Sequence, residues 1–226
     1  TLWAFLGAFH GTRKRVHTRA YMLDEKSGKW QPQGTVVKDG FWPMTEPVKM
    51  SDGNWILPGF IVGHDNPAAV AISAGDDLKK WKRVVIPRGA GVRTMWGEST
   101  IIVDGPQITN IARYGSKALA LAAKSQDHGL TWTPSTESNL PMATSKPCSG
   151  VLSNGQRYLV CSTTADGGGR RSPLTIAVSR PGKNTFSRVF VIRHALFSEG
   201  PGESHVGVGL AYPYAVEYRG KLYVGY

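Results

Sequence analysis

The chain has 226 residues, 41% of them hydrophobic, and a formal net charge of +11. That length is enough to bury a sizeable core. Its 27 glycines and 14 prolines are spread along the chain, as many short strands require, and no stretch sustains a helical period. No apolar run is long enough to span a bilayer. The positive charge would attract anionic partners, nucleic acid among them. No aromatic–basic motif of a nucleic-acid module accompanies it, so nucleic acid is not an expected partner. Asp and Glu are not clustered at metal-ligand spacing, and neither a metal nor a cofactor is expected.

Residues 1–39 open with Trp3-Ala4-Phe5 and carry the densest basic run, Thr12-Arg13-Lys14-Arg15, followed by His17 and Arg19. This run reads as a solvated loop, with a binding patch as the other reading. Leu23 to Trp30 gives a strand, a polar turn and an aromatic. Residues 40–92 form a second unit. Here Val48 to Ile61 flank Asp52-Gly53, and Asp-Gly between β-rich flanks is a strong hairpin signal. His64 follows the second strand and, by hairpin counting, lies at the same end as Trp42. That end makes it a better catalytic candidate than His128.

Residues 93–142 form the third unit. Trp96-Gly97-Glu98 leads into a strand, and Asp104-Gly105 turns it back toward Asn110-Ile111-Ala112-Arg113. With a two-residue turn at Asp104-Gly105, Glu98 faces Ile111 and Arg113 points to the same face at the same end. A slip of one residue would part them. The pair reads either as a structural ion pair or as functional groups, with Trp96 beside them as a possible ligand contact. Ser125-Gln126-Asp127-His128-Gly129-Leu130-Thr131-Trp132 then makes a tight turn. Its Asp can bond the following backbone, its Gly relaxes the bend, and its Trp would pack the turn onto the sheet. Weaker versions of this turn are Ser73 to Trp81 and Ser179 to Phe186.

Residues 143–207 form the fourth unit, with a hairpin around Asn154-Gly155 and the two cysteines of the chain, Cys148 and Cys161. A two-residue turn would place Cys148 opposite Cys161. They read either as a cross-strand disulfide or close thiol pair, or as two buried small apolar residues. A bridge would go with a secreted or periplasmic protein. Asp166 to Pro173 is Gly-rich but no helix follows, so it is not a phosphate loop. Arg170 and Arg171 could recognise a carboxylate or form an exposed turn. Gly200 to His205 is a polar loop without an assigned role. Residues 208–226 begin a fifth unit, where Tyr212 precedes a strand as Glu98 does in its own unit.

The hairpins recur at roughly fifty residues, the period of a propeller blade. The expectation is an all-β, multi-bladed β-propeller of four-stranded antiparallel blades, with residues 1–226 as one domain. Four to five units, opening and closing as though mid-strand, suggest a portion of a six- or seven-bladed propeller.

The turn Ser125, Asp127, Gly129, Thr131, Trp132 resembles the Asp-box of the sialidase superfamily, where that box is structural and lies away from the catalytic centre. The order Glu98, Arg113, Cys148-Ser149-Gly150, Arg171, Tyr212 resembles the second half of the same superfamily. The resemblance implies an exo-acting glycosidase on a terminal acidic sugar such as sialic acid. Tyr212 would be the nucleophile, Glu98 would handle its proton, and Arg113 and Arg171 would clamp the substrate carboxylate. It also implies a secreted or periplasmic location. The superfamily's Arg-Ile-Pro segment and N-terminal acid/base Asp are not identifiable in this sequence. The chain also resembles propeller enzymes that cleave rhamnosyl-glucuronate linkages by hydrolysis or elimination, which would use His64 or Tyr212 for proton transfer. A non-catalytic glycan-binding propeller is a third reading. The sequence leaves the oligomeric state open.

Overall fold

A computed structural model describes residues 1–93, 95–163, 171–194 and 209–226. The loops Asp166 to Arg170 and Gly200 to His205 lie outside the described residues; Arg171 lies within them. The described residues form eighteen strands in five antiparallel sheets. The first sheet contains β1 (Trp3–His10), β2 (Lys14–Asp24) and β3 (Lys29–Val37). The second contains β4 (Phe41–Pro43), β5 (Val48–Lys49), β6 (Trp55–Ile61), β7 (Ala68–Ala74) and β8 (Asp77–Val85), with β4 and β5 pairing the same strand, β6. The third contains β9 (Ser99–Asp104), β10 (Gln107–Arg113), β11 (Leu119–Ser125) and β12 (Thr136–Pro141). The fourth contains β13 (Cys148–Val151), β14 (Arg157–Ser162), β15 (Leu174–Ser179) and β16 (Phe186–Arg193), and the fifth β17 (Tyr214–Tyr218) and β18 (Lys221–Gly225).

Each sheet packs face to face on the next, as propeller blades do. The middle strands are therefore covered on both faces, which explains why β14 is buried throughout and β7 reads as a continuous apolar run. Four cores result, one per interface. Phe41 and Leu57 join the first and second sheets, and Ile56, Ile72, Ile101 and Leu121 join the second and third. Ile111, Leu159 and Ala177 join the third and fourth, and Tyr158, Leu174 and Ala215 join the fourth and fifth. Each interface also carries a hydroxyl hydrogen bond. Thr18 Oγ1 donates to Phe41 O at 3.0 Å, and Ser99 Oγ to Gly59 O at 3.1 Å. Thr100 and Ser149 pair at 2.9 Å, and Ser162 Oγ donates to Leu210 O.

The Asp-box turn closes on itself. Asp127 accepts from Ser125 Oγ at 2.8 Å, Thr131 N at 2.9 Å and Thr131 Oγ1 at 2.6 Å. Trp132 Nε1 donates to Gly129 O at 2.9 Å, and its ring packs on the core between the second and third sheets. His128 and Gly129 both have left-handed backbone, at φ 56° and 82°. A Cβ on Gly129 would stand 2.9 Å from Ile56 Cδ1, so this position favours glycine on two counts. The turn docks on the β9–β10 hairpin, with His128 N donating to Pro106 O at 3.0 Å.

Two hairpin registers differ from the simple count. The Asn154-Gly155 turn has three loop residues, Ser153 to Gly155, closed by Leu152 N to Gln156 O at 2.8 Å with Gly155 at φ 80°. The extra residue shifts the pairing by one, so Cys148 faces Val160 and not Cys161. A one-residue shift puts the cysteines on opposite faces of the sheet. Cys148 enters the core with the fifth sheet and Cys161 the core with the third, and both thiols are free and buried. Of the two readings, the cross-strand bridge falls, with the oxidising compartment drawn from it, and two buried small apolar residues are what the structure has. The β9–β10 loop is Gly105-Pro106, with Asp104 facing Gln107. This displaces the register by two residues, which keeps the face. Glu98 therefore stands beside Arg113, not Ile111, and Arg113 N donates to Glu98 O at 3.0 Å.

The hydrogen bonds to Asp127 hold its pKa down to about 2, led by those from Thr131. Its contribution to stability is present above the ordinary carboxylate pKa of about 3.9 and fades as the pH falls toward 2. Asp127→Ala is expected to lower the unfolding free energy by about 1 kcal/mol at pH 7. Denaturant unfolding of both proteins at pH 7 and near pH 2 checks this: the difference between them should shrink at the lower pH.

Candidate functional site

The chemistry sits where the inner strands begin. One or two residues before β5, β9, β13 and β17 stand Glu46, Glu98, Lys146 and Tyr212. Each strand enters its sheet from the same end, so the last three side chains converge on one cavity of about 560 Å³. Its apolar walls include Trp42, Met44, Phe60 and Val62, and Phe9, Arg13 and Asn66 also line it.

Glu98 is seated by its neighbour. Gly97 N donates to Asn66 O at 2.7 Å. A Cβ on Gly97 would stand 2.3 Å from Ala68 N and 2.5 Å from Asn66 O, so no other residue fits without moving backbone. This close approach of the third sheet to the second delivers Trp96 and Glu98 to the cavity.

The Glu98 side chain is only 10% exposed. Arg113 Nη1 donates to its Oε2 at 2.7 Å, and Tyr212 Oη donates to its Oε1 at 2.7 Å. Arg113 Nη1 also reaches Tyr212 Oη at 3.3 Å. The Arg113 guanidinium lies over the Trp96 ring at 5.5 Å, and that of Arg171 over the Tyr212 ring at 5.4 Å. Arg171 Nη2 donates to Thr144 O at 3.4 Å. Tyr212 is thus held between two arginines. Its backbone has φ 57°, an unusual conformation for a large residue, and it is followed by Pro213.

Burial raises the Tyr212 pKa, and the hydrogen bond and charge of Glu98 raise it further, while Arg113 and Arg171 pull the other way. The phenol is therefore neutral at neutral pH and already hydrogen-bonded to a base. Lys146 is buried, with Nζ donating to Met44 O at 3.1 Å. Burial lowers its pKa.

The structure brings together Glu98, Arg113, Arg171, Tyr212 and Trp96. His64 stands apart: its ring is 96% exposed, bonds Asp65 at 3.1 Å and does not line the cavity. The loop that carries His64 contributes Asn66 instead. His128 bonds Ser51 at 2.9 Å in the Asp-box turn. Sequence reasoning missed Lys146, Asn66 and the apolar wall. Lys146 carried a usable signal, since it precedes its inner strand much as Glu98 does. Phe9 carried none, and Arg13 showed only as part of a basic run, because both arrive from a neighbouring sheet. Among the described residues, no three His, Cys, Asp or Glu side chains cluster as metal ligands.

Residues 1–224 match the BNR repeat-like domain. No curated protein matches the chain. Among solved structures, the chain is similar to a mutant of the NanB sialidase from Streptococcus pneumoniae, with 12% identity and a TM-score of 0.67 over 91% of this chain and 31% of that one. A protein of unknown function from Dyadobacter fermentans aligns with 14% identity and a TM-score of 0.70, over 98% of this chain and 66% of that one. The α-L-arabinanase of Penicillium chrysogenum complexed with arabinobiose aligns with 16% identity and a TM-score of 0.57, over 78% and 58%. At such identities the likeness is one of fold. The chain spans about a third of the length of NanB.

Two measurements follow from this geometry. Glu98→Gln removes the anion that holds the Tyr212 proton, so the Tyr212 pKa should fall. Ultraviolet titration against Tyr212→Phe isolates that one phenol. Gly97→Ala should destabilise the fold by about 1–3 kcal/mol, as overpacking does, read by denaturant unfolding.

Proposed function

The chain belongs to the BNR repeat-like domain family, and from that premise we propose that it acts as an exo-glycosidase on a terminal acidic sugar such as sialic acid. The observation that carries this reading is Tyr212 Oη, bonded to Glu98 at 2.7 Å and flanked by Arg113 and Arg171. A free tyrosine is a weak nucleophile at neutral pH, because its pKa is about 10. A base already holding its proton removes that obstacle.

In the first step Tyr212 Oη attacks the anomeric carbon and its proton passes to Glu98. The bond to the aglycone oxygen breaks, and that oxygen leaves as an alcohol once an acid protonates it. Glu98 is occupied by Arg113 and by the tyrosine proton, so this acid is a group other than the cluster. In the second step water attacks the anomeric carbon and gives a proton back to the group that had protonated the leaving alcohol, while Tyr212 departs, recovering its own proton from Glu98. A neutral tyrosine avoids bringing an anion onto a sugar that already carries a carboxylate. Guanidinium forks suit that carboxylate, and among the described residues Arg171 makes one hydrogen bond, to the Thr144 carbonyl. The apolar wall of Trp42, Phe60 and Met44 would exclude water from the sugar face. Relatives of similar fold include a sialidase, which supports the substrate class. The exposed position of His64 lends no support to uronate-dependent elimination.

Sialosides incubated with the protein should release free sialic acid, read by mass. Tyr212→Phe should lower kcat by about a thousandfold or more, and Glu98→Gln by about 10²–10⁴-fold. Arg171→Ala should mainly raise KM, by roughly 10–100-fold, for the loss of a charge-assisted contact. Saturable glycan binding with no turnover would show that the protein binds without catalysing this reaction, and full activity in Tyr212→Phe would remove Tyr212 as its nucleophile.

A further inference from the structure

The hairpin joining β1 and β2 is basic at its tip. His10 pairs with Lys14, which leaves Gly11 to Arg13 as the loop. Arg13 and Arg15 both have left-handed backbone, at φ 56° and 51°. Glycine fits such positions at least cost. Arginines that occupy them point to a use for their side chains, because backbone strain of this kind persists at functional sites.

Those side chains surround a groove of about 550 Å³, whose lining includes His10, Arg13, Arg15, His17 and Lys38. Asp39 is the one carboxylate in that lining. Among the described residues, Arg13, Arg15 and Lys38 make no salt bridge. The two histidine rings stack at 6.0 Å, and His17 Nδ1 donates to Arg15 O at 2.7 Å.

The groove floor is built from backbone. Val62 N donates to Gly40 O at 2.9 Å, and Gly40 N donates to Val16 O at 2.8 Å. This ladder ties the first sheet to the second. A Cβ on Gly40 would stand 3.0 Å from Ile61 Cγ2, in a backbone conformation (φ 87°) that favours glycine. The groove also joins the Tyr212 cavity, because Arg13, Val16 and Val62 line both.

We propose that this groove is an anion subsite for the part of the glycan beyond the cleaved sugar, taking a carboxylate or sulfate group on the penultimate sugar. The inference rests on the exo-glycosidase reading. A terminal sugar seated against Tyr212 leaves the rest of the glycan to pass along the cavity mouth, and the groove continues from that mouth. Unpaired guanidinium and ammonium groups with no competing anion beyond Asp39 suit a second negative charge.

The test compares three substrates. They are sialic acid linked to a neutral galactose, to a second sialic acid, and to a sulfated galactose. The wild-type protein should prefer the acidic acceptors. The second and third substrates separate a carboxylate from a sulfate source. Arg15→Gly with Lys38→Ala should lower kcat/KM on the acidic substrates about fivefold more than on the neutral one, and added salt should shrink the wild-type preference. Equal losses on all three substrates would overturn the subsite. So would an equal loss of preference in Lys26→Ala with Lys29→Ala, at the opposite end of the same sheet, because that marks only the general field of a basic protein. Arg13→Gly should weaken the acidic preference while the melting temperature holds or rises, which a purely structural arginine would not do. If no substrate is cleaved, the glycosidase reading fails and the groove is judged alone by calorimetry with a free sulfated disaccharide. Binding that Arg15→Gly with Lys38→Ala removes sustains it; no binding, or unchanged binding, overturns it.

Discussion

A carboxylate with a tenth of its side chain in water has to be paired, since the desolvation cost of a lone buried charge far exceeds what a fold can absorb. Glu98 meets that need with one arginine from the adjacent strand and one phenol from the fifth sheet. The pairing with Arg113 follows from strand register, and the pairing with Tyr212 follows from sheet stacking. Both depend on Gly97, whose lack of a side chain lets the third sheet touch the backbone of the second. Altering any of these would leave a buried charge without its partner.

The stacked sheets separate stability from chemistry. The Asp-box turn supplies a self-closed hydrogen-bond network and plugs a tryptophan into an inter-sheet core, on the far side of the hairpin from Glu98. The opposite ends, where inner strands begin, carry polar side chains into a shared cavity. Strand starts are suited to this task because they are held by a ladder on one side and open on the other. Hydroxyl bonds such as Ser99 to Gly59 and Ser149 to Thr100 keep neighbouring strand starts in step. That matters for a cluster whose members come from different sheets.

Unfavourable backbone also gathers around this cavity. Tyr212 and Arg13 both stand at positive φ and both line it. Tyr212 is clamped by contacts to Glu98, Arg113 and Ser145, which over-determine its conformation. Arg13 has no such set of partners among the described residues, which is why its groove draws attention as a place for a ligand. The two cases show strain retained next to the charged groups that line one cavity.

The sequence by itself determined the local grammar. Asp127, Gly129 and Trp132 specify a turn through contacts a few residues apart, and Asp-Gly and Asn-Gly dipeptides mark hairpins by backbone preference alone. The apolar run Ala68 to Ile72 lies in a strand that the structure covers on both faces. The candidate cluster of Glu98, Arg113, Arg171 and Tyr212 was legible through the resemblance to the sialidase superfamily; position alone placed Glu98 and Tyr212 before strands and Arg113 at a strand end. Register was not legible, since one loop residue more or less leaves the dipeptide unchanged. At Asn154-Gly155 the extra residue sent Cys148 and Cys161 into different cores, whereas at Gly105-Pro106 a shift of two preserved the face and kept Glu98 with Arg113. Only the tertiary structure decided that Lys146, Asn66, Phe9 and Arg13 share the cavity and that His64 does not. Convergence of that kind depends on how sheets stack, and no spacing within one strand encodes the position of its neighbour's end.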